Sequence, residues 1–446
     1  MFSRRSGSSM TSMASSSSAK QDFWSQHSPI KIVILQWVDI CGVLRTRLVP
    51  VKTFKKIIET NGFLSCAPLD TCVTTTAEFI PKIMPYFIDS GKIWPDVSSL
   101  KVARRGSNSA VCFGNVAFQN TDARQNLKNL VEKAKKWEGL EFLVGMELEF
   151  CFLEPGTLDA AEAGSAGVAH TSKTLRSRIW PVINEVLTGL AEAGIEVEQS
   201  VKEYGQSAYE VALSPLPPVE AVDAYFYAVE LIKNFAHAKK MVATFYPTPY
   251  EGETGQKSGQ HIHISVTPTI KDKIWDPDAA MGGLLSHIPA LMAIGMAQSD
   301  SYERVGVGKM CTGGIVGWGD NNRDMPVRRV TKNHWEVRVN DATSNPYAMV
   351  AGVMGALLDP KPLQIEAATK FTLFYSDEEK EKMGLTKLLP TSLEEALKEL
   401  EIDWTWATRV LGQEYVEWFI ALKKAEIETL GKMDVKQRRL LMLDLF

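Results

Sequence analysis

Three short stretches of this 446-residue chain carry ionisable side chains at the two-residue spacing of a β-strand. In "MELEF", Glu147 and Glu149 alternate with Met146, Leu148 and Phe150. In "HIHIS", His261, His263 and Ser265 alternate with Ile262 and Ile264. In "EVRVN", Glu336, Arg338 and Asn340 alternate with Val337 and Val339. Residues i and i+2 of a strand share a face, so each stretch has one apolar and one ionisable side. A single such strand is what any half-solvated antiparallel sheet supplies. Three of them hold acids, imidazoles and a guanidinium where a solvated face would mix in Lys, Thr and Ser, and this points to a common site. Adjacent carboxylates repel, and a charge away from water is costly unless it is compensated.

Glu203 and Glu210, in another strand-like region, add two more acids. A carboxylate cluster with an imidazole suits Mg²⁺ or Mn²⁺. Two such ions would neutralise several acids and clamp a transferring phosphoryl group. Arg304, Arg323, Arg328 and Arg338 are suited to holding carboxylate and phosphate oxygens in pairs. "GETGQKSG" is not a P-loop. Only two residues separate Gly252 from Gly255, and Gln256 intervenes before Lys257, so the segment reads as a loop entering "HIHIS". Lys257 itself reads as a solvated loop residue.

The elements that must position these groups follow from pattern. The formal charge of -4 gives no basic balance for nucleic acid or anionic membranes. Every apolar run is too short to span a bilayer. The six cysteines form no C-x-x-C pair and read as reduced thiols of a cytoplasmic protein. The Ser-rich, basic head is compatible with a mitochondrial transit peptide, but it lacks an apolar helical face, so residues 1–28 read as a disordered tail. Residues 29–118 read as a small β-rich unit, with two strands around a turn at Cys41-Gly42 and a short, strand-like pattern up to Phe118. Residues 121–446 read as the catalytic unit. Thr121 or Asp122 caps a helix whose inner face holds Leu127, Leu130, Val131, Ala134 and Trp137. Residues 156–172 read as a flexible insertion, 175–193 as a helix, and Pro218 to about Lys240 as another. A further helix starts after Asn345 with Pro346 in its first turn, and Ser392 caps "LEEALKEL".

At this point the chain resembles the glutamine synthetase superfamily. "GMELEF" is similar to the family's G-x-E-x-E-F, "SGQHIHIS" to its G-x-H-x-H-x-S, and "HWEVRVNDATSNPY" to its E-x-R…D…NPY. "SYERVGVG" and "WGDNNRDMPVRR" are similar to its N-S-Y-x-R and W-G-x-D-N-R…R segments. All five stand in the family's order. The resemblance implies an α+β fold: a small N-terminal β-grasp-like domain, then a large catalytic domain with a curved antiparallel sheet and flanking helices. It implies a funnel with ATP at one end, the amino acid at the other and two metals at the neck. One metal would take Glu149, Glu203 and Glu210, the other Glu147, His261 and Glu336. Arg304 would hold the substrate α-carboxylate. Arg323, Arg328 and Arg338 would grip phosphate or the reacting γ-carboxyl, and His263 and Ser265 would lie beside the nucleotide. ATP would phosphorylate a carboxylate, and an amine would then displace the phosphate. The resemblance also implies a homo-oligomeric ring, a decamer or dodecamer, with sites at subunit interfaces.

The departures bear on substrate. Met310 stands where ammonia-using members carry a Glu six residues after the arginine matching Arg304. The family's Asn-Gly becomes Gln256-Lys257, its Gln two residues before Glu210 becomes Ala208, and its Arg two before Glu336 becomes His334. A small cation needs carboxylate partners to leave water, so an amine larger than ammonia is expected, joined to glutamate or a related amino acid. The pattern lies nearest the branches holding γ-glutamylpolyamine synthetases and fungal FluG-type proteins. The rival readings are an ammonia-using glutamine synthetase and a non-catalytic scaffold or signalling ring.

Overall fold

Alternation becomes strands where expected in the computed structural model, which describes residues 23–24, 30–104, 106–162, 168–250, 257–270, 275–306, 309, 311–443 and 445–446. Most of the Ser-rich head, Gly252, Gly255, Gln256 and Met310 lie outside the described residues. The first sheet is built from β1 (Ile32–Val38), β2 (Leu44–Pro50), β3 (Leu64–Cys66), β4 (Gly91–Pro95), β5 (Lys101–Val102) and β6 (Ser109–Ala117), in the order β2-β1-β6-β4-β3 with β5 also on β6. The β1–β2 turn needs a glycine at 42. Its φ is +88°, and a Cβ there would lie 2.4 Å from the Ser344 carbonyl oxygen.

The strand-only reading of this region is corrected by a helix at Val51–Glu59. Phe54, Ile57 and Ile58 fall at helical spacing, and only Phe54 is fully buried. Asp122, not Thr121, caps the next helix, Ala123–Lys133. Its carboxylate accepts from the Arg124 and Gln125 backbone N–H groups at 2.9 and 3.2 Å. Leu127 and Ala134 are buried as expected, but Trp137 is 69% exposed. The helix widens into a π-turn over Ala134–Glu138, which rotates Trp137 off the inner face. The helix expected from 175 begins at Trp180, because Ser172–Arg176 forms a separate 3₁₀ turn.

The second sheet comprises β7 (Leu140–Leu153), β8 (Val197–Lys202), β9 (Ala208–Leu213), β10 (Val242–Thr244), β11 (Ile262–Pro268), β12 (Trp318–Asp320), β13 (Val327–Thr331) and β14 (His334–Val337). Its order is β12-β13-β14-β11-β7-β9-β8, with β10 also on β7, and every pairing except β12–β13 is antiparallel. Val144, Met146, Leu148 and Phe150 are each no more than 1% exposed and cover the core face of β7. That face packs on the helix Pro218–Ala238. Each such burial is worth about 1.5–3 kcal/mol, which offsets the acids on the other face. Behind the sheet, the helices Pro277–Gly295, Pro346–Leu357 and Leu393–Ile402 pack together. Asn345 and Ser392 cap the last two through their side chains. Arg124 ties the end of β4 to the helix Pro218–Ala238: it donates to Asp223 on that helix at 2.9 and 2.7 Å and to Asp96 at 3.0 Å. Among the described residues no helix is long and apolar enough to cross a membrane.

Candidate active site

The polar faces of β7, β9 and β14 meet at a cavity of about 290 Å³. β7 contributes Glu147 and Glu149, β9 Glu210, the turn after β8 Glu203, β14 Glu336, and the residue preceding β11 is His261. Arg304 ends the 3₁₀ turn Ser299–Arg304, Arg323 lies between β12 and β13, Arg328 lies on β13, and Arg338 follows β14. All ten side chains therefore line one space. A second cavity of about 390 Å³ is lined by His263, Ser265 and His334 together with apolar Leu143, Met146, Leu213 and Pro215. Glu147 and Gln199 line both cavities, so the two spaces abut at that carboxylate.

Register explains the convergence. Glu149 pairs with Glu210 across β7 and β9, and His263 pairs with Glu336 across β11 and β14. His261 Nδ1 lies 2.8 Å from one Glu147 oxygen, and His263 Nε2 lies 3.0 Å from the other. His261 also lies 3.5 Å from Glu336 and 3.7 Å from Glu149. The Gly259 N–H donates to Glu149 at 2.6 Å. Arg328 donates to Glu336 Oε2 at 2.6 Å, and Arg338 donates to its Oε1. His263 Nδ1 contacts His334 Nε2 at 2.9 Å, and Ser265 lies opposite His334 in the ladder.

Arg304 is 1% exposed and donates to the Asn340 carbonyl at 3.1 Å and to Asp341 at 3.3 Å. Its Nε has no hydrogen-bond partner among the described residues. Gly259 packs against it: a Cβ there would lie 2.6 Å from Arg304 Nη2. Arg323 stands exposed at the rim. Lys257 is not the solvated residue expected. It lines the cavity and donates to the Glu303 carbonyl at 2.6 Å, with the Glu303 carboxylate at 3.3 Å. Position 257 was misread because Glu303, 46 residues away, cannot be located from local pattern.

The protein's own cations compensate this cluster unevenly. Burial alone would raise Glu147, but hydrogen bonds from His261 and His263 hold it well below the usual carboxylate range. Burial would also raise Glu336, yet Arg338 and then His261 hold it at about 2. Glu149 is raised by burial, against which His261, the Gly259 N–H and Arg304 act. Burial, and then Glu147, Glu149, Glu203 and Glu336 around it, push Glu210 up to about 9. Burial, then His263 and Arg328, push His334 down. The side of the pocket formed by Glu149, Glu203 and Glu210, where burial and neighbouring acids raise Glu149 and Glu210, fits a hard divalent ion. Glu147, His263 and Glu336 also offer one ligand atom each within 4.8 Å of one another, so His263 as well as His261 stands within reach of such an ion.

His170, Tyr204, Gln199 and Cys311 line the same cavity and were not singled out by the sequence reading. His170 lies in the segment read as an insertion, where no periodicity marks it.

The chain matches the family model described as glutamine synthetase, catalytic domain, over residues 120–440. It is 28% identical to protein fluG of Emericella nidulans over 97% of this chain and 51% of that protein, and so spans about half of fluG's length. It is 27% identical to the glutamate–methylamine ligase of Methyloversatilis universalis, covering 92% of this chain and 95% of that one. It is also 27% identical to the glutamine synthetase of Methanocaldococcus jannaschii, over 89% and 91% of the two chains. Among solved structures, a GmaS/ADP complex superposes with a TM-score of 0.80 at 21% identity, covering 94% of this chain and 98% of that one. The Plasmodium falciparum glutamine synthetase superposes with a TM-score of 0.74 at 17% identity, covering 98% and 99%.

Proposed function

The chain belongs to the glutamine synthetase family, and we propose that it is an ATP-dependent ligase joining the γ-carboxyl of glutamate to an amine larger than ammonia. One observation carries this reading. Ten acid, imidazole and guanidinium groups converge on one cavity, and that cavity abuts a second, mostly apolar one at Glu147.

In this reading the nucleotide lies in the second cavity beside His263 and Ser265, and its phosphates reach the neck at Glu147. Glu149, Glu203 and Glu210 would hold one divalent ion. Glu147 and Glu336, with His261, would hold the other. Such ions, when bound, offset the charge that gathers on a transferring phosphoryl group. Arg304 is fixed by Asp341 and the Asn340 carbonyl and receives the α-carboxylate, which orients the γ-carboxyl for phosphorylation. Arg328 and Arg338 are held by Glu336 and, with Arg323 at the rim, face phosphate and acyl oxygens with their remaining N–H groups. A ring of subunits with sites at its interfaces belongs to the same proposal.

The choice of amine is supported by Met310, which stands where the family resemblance places the ammonium-binding Glu. A relative named for methylamine ligation is in keeping with it. The test is phosphate release from ATP and glutamate with Mg²⁺ or Mn²⁺, run against ammonium, methylamine, putrescine and an arylamine. Faster turnover with an organic amine is expected. Preference for ammonium would overturn the choice of amine, and no glutamate-dependent turnover with any of them would overturn the ligase reading.

A further inference from the structure

We propose that His170 is the catalytic base that takes a proton from the incoming amine. The inference rests on the ligase reading above. His170 lines the first cavity from outside the sheet, on the segment leading into the 3₁₀ turn Ser172–Arg176. Its backbone N–H donates to the Lys202 carbonyl at 2.8 Å, which anchors it at the end of β8. Its φ is +54°, in the left-handed region. A non-glycine residue held there stores about 1 kcal/mol or more of backbone strain, and such strain persists where the surroundings fix the residue in place. The strain and the Lys202 bond together present an exposed imidazole to the cavity, and its ring nitrogens have no hydrogen-bond partner among the described residues.

The chemistry requires such a group. An alkylamine reaches neutral pH as an ammonium ion, with its lone pair occupied by a proton. Most of the other proton acceptors in the cavity are engaged or belong to the proposed ion sites, His261 and Glu210 among the latter. Both oxygens of Glu147 face histidines, both oxygens of Glu336 accept from arginines, and Glu149 accepts from the Gly259 N–H. Glu203 accepts from the Tyr204 N–H, and with Glu149 and Glu210 it belongs to the proposed ion site. Of the other charged or titratable groups, Lys202 and Lys173 lie on the flanking elements, and Tyr204, Lys257, Cys311, Arg304, Arg323, Arg328 and Arg338 line the cavity with His170. The lysines and arginines are donors only.

The step balances as follows. The ammonium gives one proton to the His170 imidazole. The freed nitrogen lone pair attacks the acyl carbon, the C–N bond forms, and the C–O bond to phosphate breaks with its electron pair staying on phosphate. The second N–H proton leaves with the phosphate, and His170 returns its proton to water.

The test is His170→Asn, because Asn tolerates the left-handed backbone and removes the base. With ATP and glutamate, the wild type and the variant are compared using methylamine, putrescine and hydroxylamine, the last being largely uncharged at neutral pH. The variant should lose on the order of 10²-fold in kcat/KM for methylamine and putrescine at neutral pH. It should recover most of that loss as the pH approaches the amine's own pKa, and it should form hydroxamate from hydroxylamine at close to the wild-type rate. Equal losses with all three nucleophiles, or no loss with any, would overturn the role of His170. If the wild type forms neither amide nor hydroxamate, the ligase reading itself has failed.

Discussion

Glu149 and Glu210 stand directly opposite one another across β7 and β9, acid against acid in the middle of a sheet. Like charges so placed destabilise a strand pair, and the pairing persists because four apolar side chains on the opposite face of β7 are buried in the core. The strain has a pH signature in the metal-free protein. Glu210 is raised by burial and its acidic neighbours from an ordinary 4.5 to about 9. A carboxyl whose folded pKa exceeds its unfolded one contributes stability below the unfolded value and loses that contribution as pH rises through the folded value. Melting temperature measured in EDTA should therefore fall between about pH 4.5 and 9. Adding Mn²⁺ should flatten the profile, and so should Glu210→Gln without metal. Glu336 acts with the opposite sign, because it is held at about 2 and destabilises only as pH falls below 4.5. A flat metal-free profile for the wild type would show that the acids do not crowd as described.

Gly259→Ala should damage acid binding more than folding. The new Cβ would lie 2.6 Å from Arg304 Nη2 and 2.8 Å from His261 Nε2, closer than real contacts allow. The neighbour most able to yield is the tip of the Arg304 side chain. Displacing that group by an ångström costs on the order of 10²-fold in positioning. Steady-state kinetics should show KM for glutamate rising at least about tenfold, the melting temperature staying close to wild type, and Arg304→Lys giving a comparable KM. An unchanged KM in Gly259→Ala would place the acid elsewhere.

Arg338 and Glu336 form a pair whose loss should be felt before any substrate binds. Glu336 is 1% exposed and both its oxygens are taken by Arg328 and Arg338. Removing one partner of a buried ion pair costs about 3–5 kcal/mol, whereas replacing both with apolar groups can be near neutral. Arg338→Leu should lower the unfolding free energy by an amount toward the lower end of that range, because Arg328 still faces Glu336, and Mn²⁺ should restore part of it. The double variant Arg338→Leu/Glu336→Leu should be more stable than Arg338→Leu alone and inactive. Denaturant titration of the three proteins decides the matter, and a double variant no more stable than the single would contradict the pairing.

The parts of the site legible in the sequence are those whose geometry is local. A period of two placed Glu147 and Glu149, His261 and His263, and Glu336 and Arg338 on polar faces, because strand geometry fixes which face a residue takes. The shared grip of both histidines on Glu147 depends on register between β11 and β7, which no single strand reveals. The helix Val51–Glu59 was hidden by following β2 without a gap. Trp137 was misplaced because a π-turn changes the helical period. His170 reaches the cavity through a backbone bond to Lys202, 32 positions later in the chain. Lys257 likewise finds Glu303 by tertiary contact alone. Long-range pairing is where local periodicity stops informing.

The last prediction concerns which amine enters. Under the proposed reading, Met310 would offer no charge to an ammonium ion, and desolvating a small cation without a carboxylate partner is unfavourable by several kcal/mol. An organic amine recovers part of that loss by burying its carbons, at about 0.8 kcal/mol per methylene. Met310→Glu should therefore raise kcat/KM for ammonium while lowering it for amines whose apolar portion meets position 310. The ratio of the two, measured with methylamine and putrescine as the organic amines, should shift toward ammonium by about tenfold or more, as expected for roughly 1.4 kcal/mol of discrimination. A shift toward the organic amines, or none, would show that the missing carboxylate at 310 does not set the preference.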